Sequence, residues 1–380
     1  MRLRVERQDL MDAVAWTART LPTRSTVPVL SGLLLESGSG EDTDGLRLSG
    51  FDFEVAAQAR VGVTVAEGGR VLVSGRLLAE ICRSLPAAPV DLATEGNRLV
   101  LVCGSARFQL PTMPVEDYPA LPAMPPVTGR IASAAFATAV QQVAIAAGRD
   151  DTLPVLTGVR VEIDGDTLTL AATDRYRLAV RELPWRPENP AGSSVALVPA
   201  KTLADTAKAL AGSTAEVEIA LGTGAQGEGM AGFANGDLRT TTRLLEGEFP
   251  KYRALLPESS DAAAELDTAT LTDAVKRVAL VTAGRTTPVR LSFDDSGEAL
   301  LEAGSGEDAQ ASERIPATFE GEPLTIAFNP AFLLDGLGQL DGDTARLSFT
   351  APTKPAVLTG KASDGPDEYR YLLMPVRLPS

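Results

Sequence analysis

The chain has 380 residues, with 35 Lys and Arg against 50 Asp and Glu, a formal net charge of −15 and no histidine. That length predicts about two to four domains, and a 44% hydrophobic share beside 22% charged residues predicts packed cores and excludes a disordered or fibrous chain. The missing histidine excludes a Ser-His-Asp triad, a Cys-His dyad, a histidine metal site and a histidine pH switch together.

A first helix is expected over 7–19. The N-terminus itself, MRLRVERQDL, is charged from its second residue and lacks the apolar core of a signal peptide. Residues 28–32 (PVLSG) open a strand, and Leu46-Arg47-Leu48-Ser49 alternates as a half-buried strand does. Residues 71–85 (VLVSGRLLAEICRSL) read as a strand turning directly into a helix at 74–85, with Ser74 as its cap. On that helix Arg76, Glu80 and Arg83 share one face, and Leu78, Ile81 and Leu85 lie opposite. Cys82 and Cys103, the only cysteines, are flanked by Leu, Ile and Val. They read as small buried hydrophobes in a reducing compartment, not as a disulfide or a zinc site. Residues 114–122 (PVEDYPALP) look like a domain exit, and 123–126 (AMPP) like a linker.

The same order then returns. A helix is expected over 133–147; the uncharged run 131–148 is too polar and too short for a membrane span. Residues 154–158 (PVLTG) open a strand, Leu168-Thr169-Leu170-Ala171 alternates, 196–210 (ALVPAKTLADTAKAL) turns strand into helix at 200–211, and 246–257 (EGEFPKYRALLP) forms a second exit. After the small, polar stretch 258–264 a third round has a helix at 270–283, a strand at Val289-Arg290-Leu291, and 326–340 (IAFNPAFLLDGLGQL) with a helix at 330–340. Asn329 is placed to cap that helix and Pro330 to start it. The three strand-to-helix segments superpose without gaps. Val73, Val198 and Phe328 close the strand, Leu78, Leu203 and Leu333 face inward, and Glu80, Asp205 and Asp335 recur. An internal repeat of this kind divides the chain into 1–126, 127–257 and 258–380, three copies of one α+β unit, each with two helices and antiparallel sheets.

These repeats, with 154–182 (PVLTGVRVEIDGDTLTLAATDRYRLAVRE), the 246–257 exit and the terminal 371–380 (YLLMPVRLPS), resemble the bacterial DNA polymerase III beta subunit, the replication sliding-clamp family, across essentially the whole chain. The resemblance implies three tandem copies of the DNA-clamp fold and a head-to-tail homodimeric ring around duplex DNA. It implies a processivity factor with no chemistry of its own, no cofactor and no metal, partnered by DNA polymerase and a clamp loader. A paralogue that sustains replication when the ordinary clamp is inhibited is the alternative within the family. An enzyme is the rival outside it, with Glu116-Asp117 or Asp150-Asp151 as acidic pairs for glycoside or two-metal nuclease chemistry. Both pairs lie in loop-like stretches, and nothing in the sequence brings them to one site.

A pI near 4.6 argues against a surface that coats nucleic acid, but leaves room for cations gathered on one face. The predicted helices are slightly positive within an acidic protein, as a channel holding phosphates loosely requires. The DNA-channel candidates are Arg76, Arg83, Lys201 and Lys208 on helices, with Arg24 and Arg149 in loops; Arg285 is added by position only. A soluble, cytoplasmic, DNA-associated protein with no membrane contact is expected. By resemblance the partner-peptide pocket consists of Leu156, Thr173, Arg175, Tyr176, Arg177, Leu178, Pro250, Leu255, Leu373, Met374, Pro375, Val376, Arg377 and Leu378. The commonest family sequence has Gly and His where Arg175 and Tyr176 stand, and often Arg in place of Ala254. By family position, Arg107 and Phe108 of one chain face Leu280, Val281, Glu307 and Asp308 of the other.

Overall fold

Among the described residues of the computed structural model (1–22, 26–38, 45–222, 229–282, 287–304, 309–360 and 369–377), six α-helices recur in pairs. They are α1 (Arg7–Thr17), α2 (Gly75–Ser84), α3 (Ser133–Ala144), α4 (Ala200–Leu210), α5 (Thr268–Val278) and α6 (Pro330–Leu337). Arg24, Arg285, Glu307, Asp308 and Leu378 lie outside the described residues. Leu78, Leu203 and Leu333 are each fully buried, so the inward position is the same in all three rounds. On α2, Arg76, Glu80 and Arg83 are exposed while Leu78, Ile81 and Leu85 are buried.

The helix ends differ from expectation for identifiable reasons. α1 and α5 tighten into 3-10 turns at Ala18–Thr20 and Ala279–Val281, which satisfies terminal carbonyls that an α-helix leaves open. α5 starts two residues early because the Asp267 carboxylate accepts from the Thr270 amide at 2.7 Å. Asn329 caps α6 as expected, accepting from the Ala331 amide at 2.9 Å. Ser74 makes no capping bond. It is the last residue of strand Gly69–Ser74, paired with Gly32, and the next residue meets a space constraint: a Cβ on Gly75 would lie 2.5 Å from Leu21. Nor do PVLS and PVLT open strands. Pro28–Ser31 and Pro154–Thr157 are 3-10 turns, with the strands starting at Gly32 and Gly158. Ser31 and Thr157 donate to the carbonyls of Pro28 and Pro154, at 2.6 and 2.8 Å.

The strands pair antiparallel and belong to two compact units. One comprises Met1–Phe136, Arg186–Asn189 and Asp205–Leu244; the other comprises Ala137–Trp185, Pro190–Ala204 and Leu245–Ser380. The middle repeat contributes to both, because its strands continue the sheets of both neighbouring repeats. In the first unit, strand Leu238–Arg243 pairs with Val55–Val61 within a 14-stranded sheet. In the second, strand Tyr369–Leu373 pairs with Arg177–Pro184 within a nine-stranded sheet, beside a separate four-stranded one. Pairing of this kind covers strand edges that would otherwise be open.

Cys82 and Cys103 are buried and unbridged. Burial pushes the Cys82 thiol up to about 12, with Arg7 opposing and Cys103 adding to the shift. At pH 8 that leaves about one thiolate in ten thousand. With both side chains buried, iodoacetamide should leave both cysteines unmodified in the folded protein and label both in denaturant; rapid native labelling, read as a mass shift, would contradict this burial. No helix among the described residues is long and apolar enough to cross a membrane.

Candidate functional site

The second unit carries a tight turn at Asp174–Tyr176, between strands Thr167–Thr173 and Arg177–Pro184. The Asp174 carboxylate accepts from the Tyr176 and Arg177 amides at 3.0 and 3.1 Å. The Thr173 hydroxyl accepts from the Arg175 amide and donates to the Arg177 carbonyl at 2.6 Å. These bonds hold Arg175 at φ +80°, a left-handed conformation that costs a non-glycine residue about 1–2 kcal/mol. Glycine is at home there, which is the physical content of the departure seen in the sequence. The first unit repeats the turn: Asp52 accepts from the Glu54 and Val55 amides at 3.0 and 2.7 Å, and Phe53 takes φ +75°.

The C-terminal segment docks on this turn. The Met374 amide donates to the Tyr176 carbonyl at 2.9 Å, and the Val376 amide to the Ala327 carbonyl at 2.8 Å. Residues 374–376 thus pass from the turn to strand Leu324–Phe328. Beside them lies a cavity of about 290 Å³, lined by Thr325, Ile326, Ala327, Pro352, Thr353 and Pro375–Arg377. Tyr176, Leu255 and Met374 are large exposed hydrophobics, at 57%, 49% and 42%. Arg175 and Arg377 are exposed, and Pro250, Pro375 and Val376 are half-buried.

Other residues expected in the pocket wall lie beneath the surface. Leu156, Thr173, Leu178 and Leu373 are at most 8% exposed. Leu178 packs with Leu372, Val357, Phe249 and Tyr252 in one core cluster, with Val155 and Leu256 against it. Thr173, Leu178 and Leu373 lie on strands and Leu156 on the 3-10 turn Pro154–Thr157, and alternate strand residues face opposite sides of a sheet. Arg177 is also buried, its side chain 5% exposed. Its guanidinium donates to Asp174 at 3.0 Å, to Asp335 at 2.5 Å and to the Tyr371 hydroxyl at 3.2 Å, and it lies 4.4 Å from the Phe332 ring centroid. Burial opposes its charge, but Tyr371, Asp335 and Asp174 outweigh burial and hold its pKa above the usual arginine range.

The exit segment is anchored by a second buried charge. Glu162, 10% exposed, accepts from the Tyr252 hydroxyl at 2.9 Å and from Arg160 and Arg253 at 2.5 Å. Burial raises its carboxyl pKa, yet these donors outweigh burial and hold it below the usual range. The 3-10 turn Tyr252–Leu255 is thereby fixed with Leu255 exposed on it. Sequence reasoning missed Thr325, Ile326, Ala327, Pro352 and Thr353, since strand pairing, which no local pattern encodes, brings them to the cavity. It also missed Glu162, Phe332 and Tyr371. For Asp335 there was a signal, the acid recurring in each repeat.

Among the DNA-channel candidates, Arg76, Arg83, Arg149, Lys201 and Lys208 are exposed, and Arg76 also donates to the Pro22 carbonyl at 3.0 Å. Of the interface candidates, Arg107 pairs with Glu95 at 3.5 Å and Phe108 is half-buried. Their strand, Ala106–Met113, pairs along one side with Arg98–Cys103, but on the other only through Thr112 and Met113. In the second unit, strand Ala311–Pro316 ends the four-stranded sheet. Leu280, on the turn after α5, is 84% exposed, and Val281 is half-buried.

Three family models match the chain: the DNA polymerase III beta subunit N-terminal domain over 1–122, its central domain over 130–251 and its C-terminal domain over 253–377. The beta sliding clamp of Streptomyces coelicolor is 58% identical over 381 residues, covering 100% of both chains. The beta sliding clamp homolog GriR of Streptomyces muensis is 44% identical over 99% of each. The crystal structure of a Pseudomonas aeruginosa sliding clamp bound to griselimycin matches with TM-score 0.91 and 29% identity, covering 100% of both chains. Matched by each of the three domains in turn, the chain belongs to the DNA polymerase III beta subunit family, the bacterial beta sliding clamps.

Proposed function

We propose that the protein encircles duplex DNA as a head-to-tail homodimer and tethers DNA polymerase to its template, as a non-catalytic processivity factor in the cytoplasm. The observation that carries this reading is the threefold repeat matched from end to end by the three clamp domains. The edge of strand Ala106–Met113, which pairs on one side only through Thr112 and Met113, and strand Ala311–Pro316 at the end of its sheet support it. We take the domains as 1–126, 127–257 and 258–380. The exposed Arg76, Arg83, Arg149, Lys201 and Lys208, with Arg24, supply phosphate contacts that carry no base code. The turn at Asp174–Tyr176, Leu255 and residues 374–378 receive an extended peptide from the polymerase or the clamp loader. Greater identity to the S. coelicolor clamp than to GriR supports the ordinary replicative role over that of a paralogue.

The test is topological. Loaded by a clamp loader onto nicked circular duplex, the protein should co-elute with DNA at physiological salt and be lost once a restriction enzyme linearises the circle. Direct affinity for a short linear duplex should be weak and fall steeply with salt. Equal retention on linear and circular DNA, or strong preference for one base sequence, would contradict enclosure.

A further inference from the structure

Asp335 and Phe332 stand three residues apart on α6 and so share one helix face. Both meet the same guanidinium: Arg177 donates to the Asp335 carboxylate at 2.5 Å and lies 4.4 Å from the Phe332 ring centroid. The Tyr176 ring stacks on Phe332, with centroids 6.3 Å apart and planes at 23°. α6 itself is held close. The Tyr371 hydroxyl donates to the Phe332 carbonyl at 2.9 Å, and a Cβ on Gly336 would come within 2.5 Å of the Tyr371 ring.

Building on the peptide-cleft reading, we propose that Asp335 is a positioning residue of the cleft: it aims the Arg177 guanidinium under Phe332, and the Phe332–Tyr176 stack forms an aromatic wall that receives a flat side chain of an extended peptide. Neutralising Arg177 does not account for Asp335, because Asp174 already pairs with the same guanidinium at 3.0 Å. What Asp335 adds is direction. Asp174 holds Nε from within the turn, whereas Asp335 holds Nη1 from α6, so the guanidinium plane is fixed at both ends. Tyr176, 57% exposed, has a face available for a ligand ring, and offset or edge-on aromatic contacts favour such a partner over an aliphatic one. The equivalent acid of the first repeat, Glu80, is an exposed residue of the α2 face, whereas Asp335 pairs with a buried arginine.

The full-length protein is titrated with two fluorescent extended peptides, identical except that one bears Phe where the other bears Leu. Asp335→Asn should weaken the Phe peptide about tenfold, as loss of one charge-assisted bond implies, and the Leu peptide about twofold or less. Asp335→Glu should recover most of the loss. Phe332→Leu, which removes the ring and keeps the ion pair, should give the same split, and the double variant should be no worse than either single one. Should Asp335→Asn fail to fold, Phe332→Leu carries the test. Equal weakening of both peptides, or none, overturns the proposal while leaving the cleft in place. A wild type that binds neither peptide overturns the cleft reading and this proposal with it.

Discussion

Replacing Leu255 and Met374 together by alanine should cut affinity for a Leu/Phe-rich polymerase-tail peptide by about 30- to 150-fold while leaving the fold intact. Fully burying one large apolar side chain gives about 1.5–3 kcal/mol, and these two are already about half buried, at 49% and 42% exposure. Their remaining surface therefore gives roughly 1–1.5 kcal/mol each on binding. Together this is about 2–3 kcal/mol, the stated range of fold-change. The choice of residues matters. Leu178, 1% exposed, belongs to the core cluster with Leu372 and Tyr252, and truncating it would cost about 2–5 kcal/mol of stability, confusing loss of site with loss of fold. Fluorescence anisotropy gives the affinity and a thermal melt checks the fold. Unchanged affinity would place the peptide elsewhere.

What was legible in the sequence was local and repeated. Three buried leucines at one register, a proline after Asn329 and alternating strands are each readable within a few residues, and repetition made them secure. The 3-10 turns at PVLS and PVLT were misread because an apolar run after proline suits a strand or a single helical turn equally well. The site was legible as a set of chain segments and not as a geometry. Arg177 and Asp335 are separated by 158 positions, and Glu162 and Tyr252 by 90; a buried charge shows its partner only once the chain is folded. Arg175 at φ +80° breaks a local rule outright, and such violations concentrate where function overrides propensity. Nor did alternation tell which expected wall residues lie below the surface, since that depends on which strand pairs with which.

A single charge at Leu280 should open the ring. Leu280, 84% exposed on the turn after α5, has most of its apolar surface free to be buried against a partner chain. The strand edge at Ala106–Met113, with half-buried Phe108, offers a partner chain both backbone hydrogen bonds and an apolar contact. A head-to-tail dimer that closes on itself has two such junctions, so each substitution counts twice. Losing the burial of one leucine at each junction removes about 3–6 kcal/mol in all, and an aspartate placed there must be desolvated as well. The dimer dissociation constant should therefore rise by a factor of at least 100, roughly. Light scattering should find the wild type as a dimer at micromolar concentration and Leu280→Asp as a monomer near the 39.7 kDa chain mass. Because the residues of the proposed peptide cleft all belong to one chain, the monomer should still bind the polymerase-tail peptide with wild-type affinity, while retention on circular DNA is lost. A Leu280→Asp protein that remained dimeric would move the interface away from this turn.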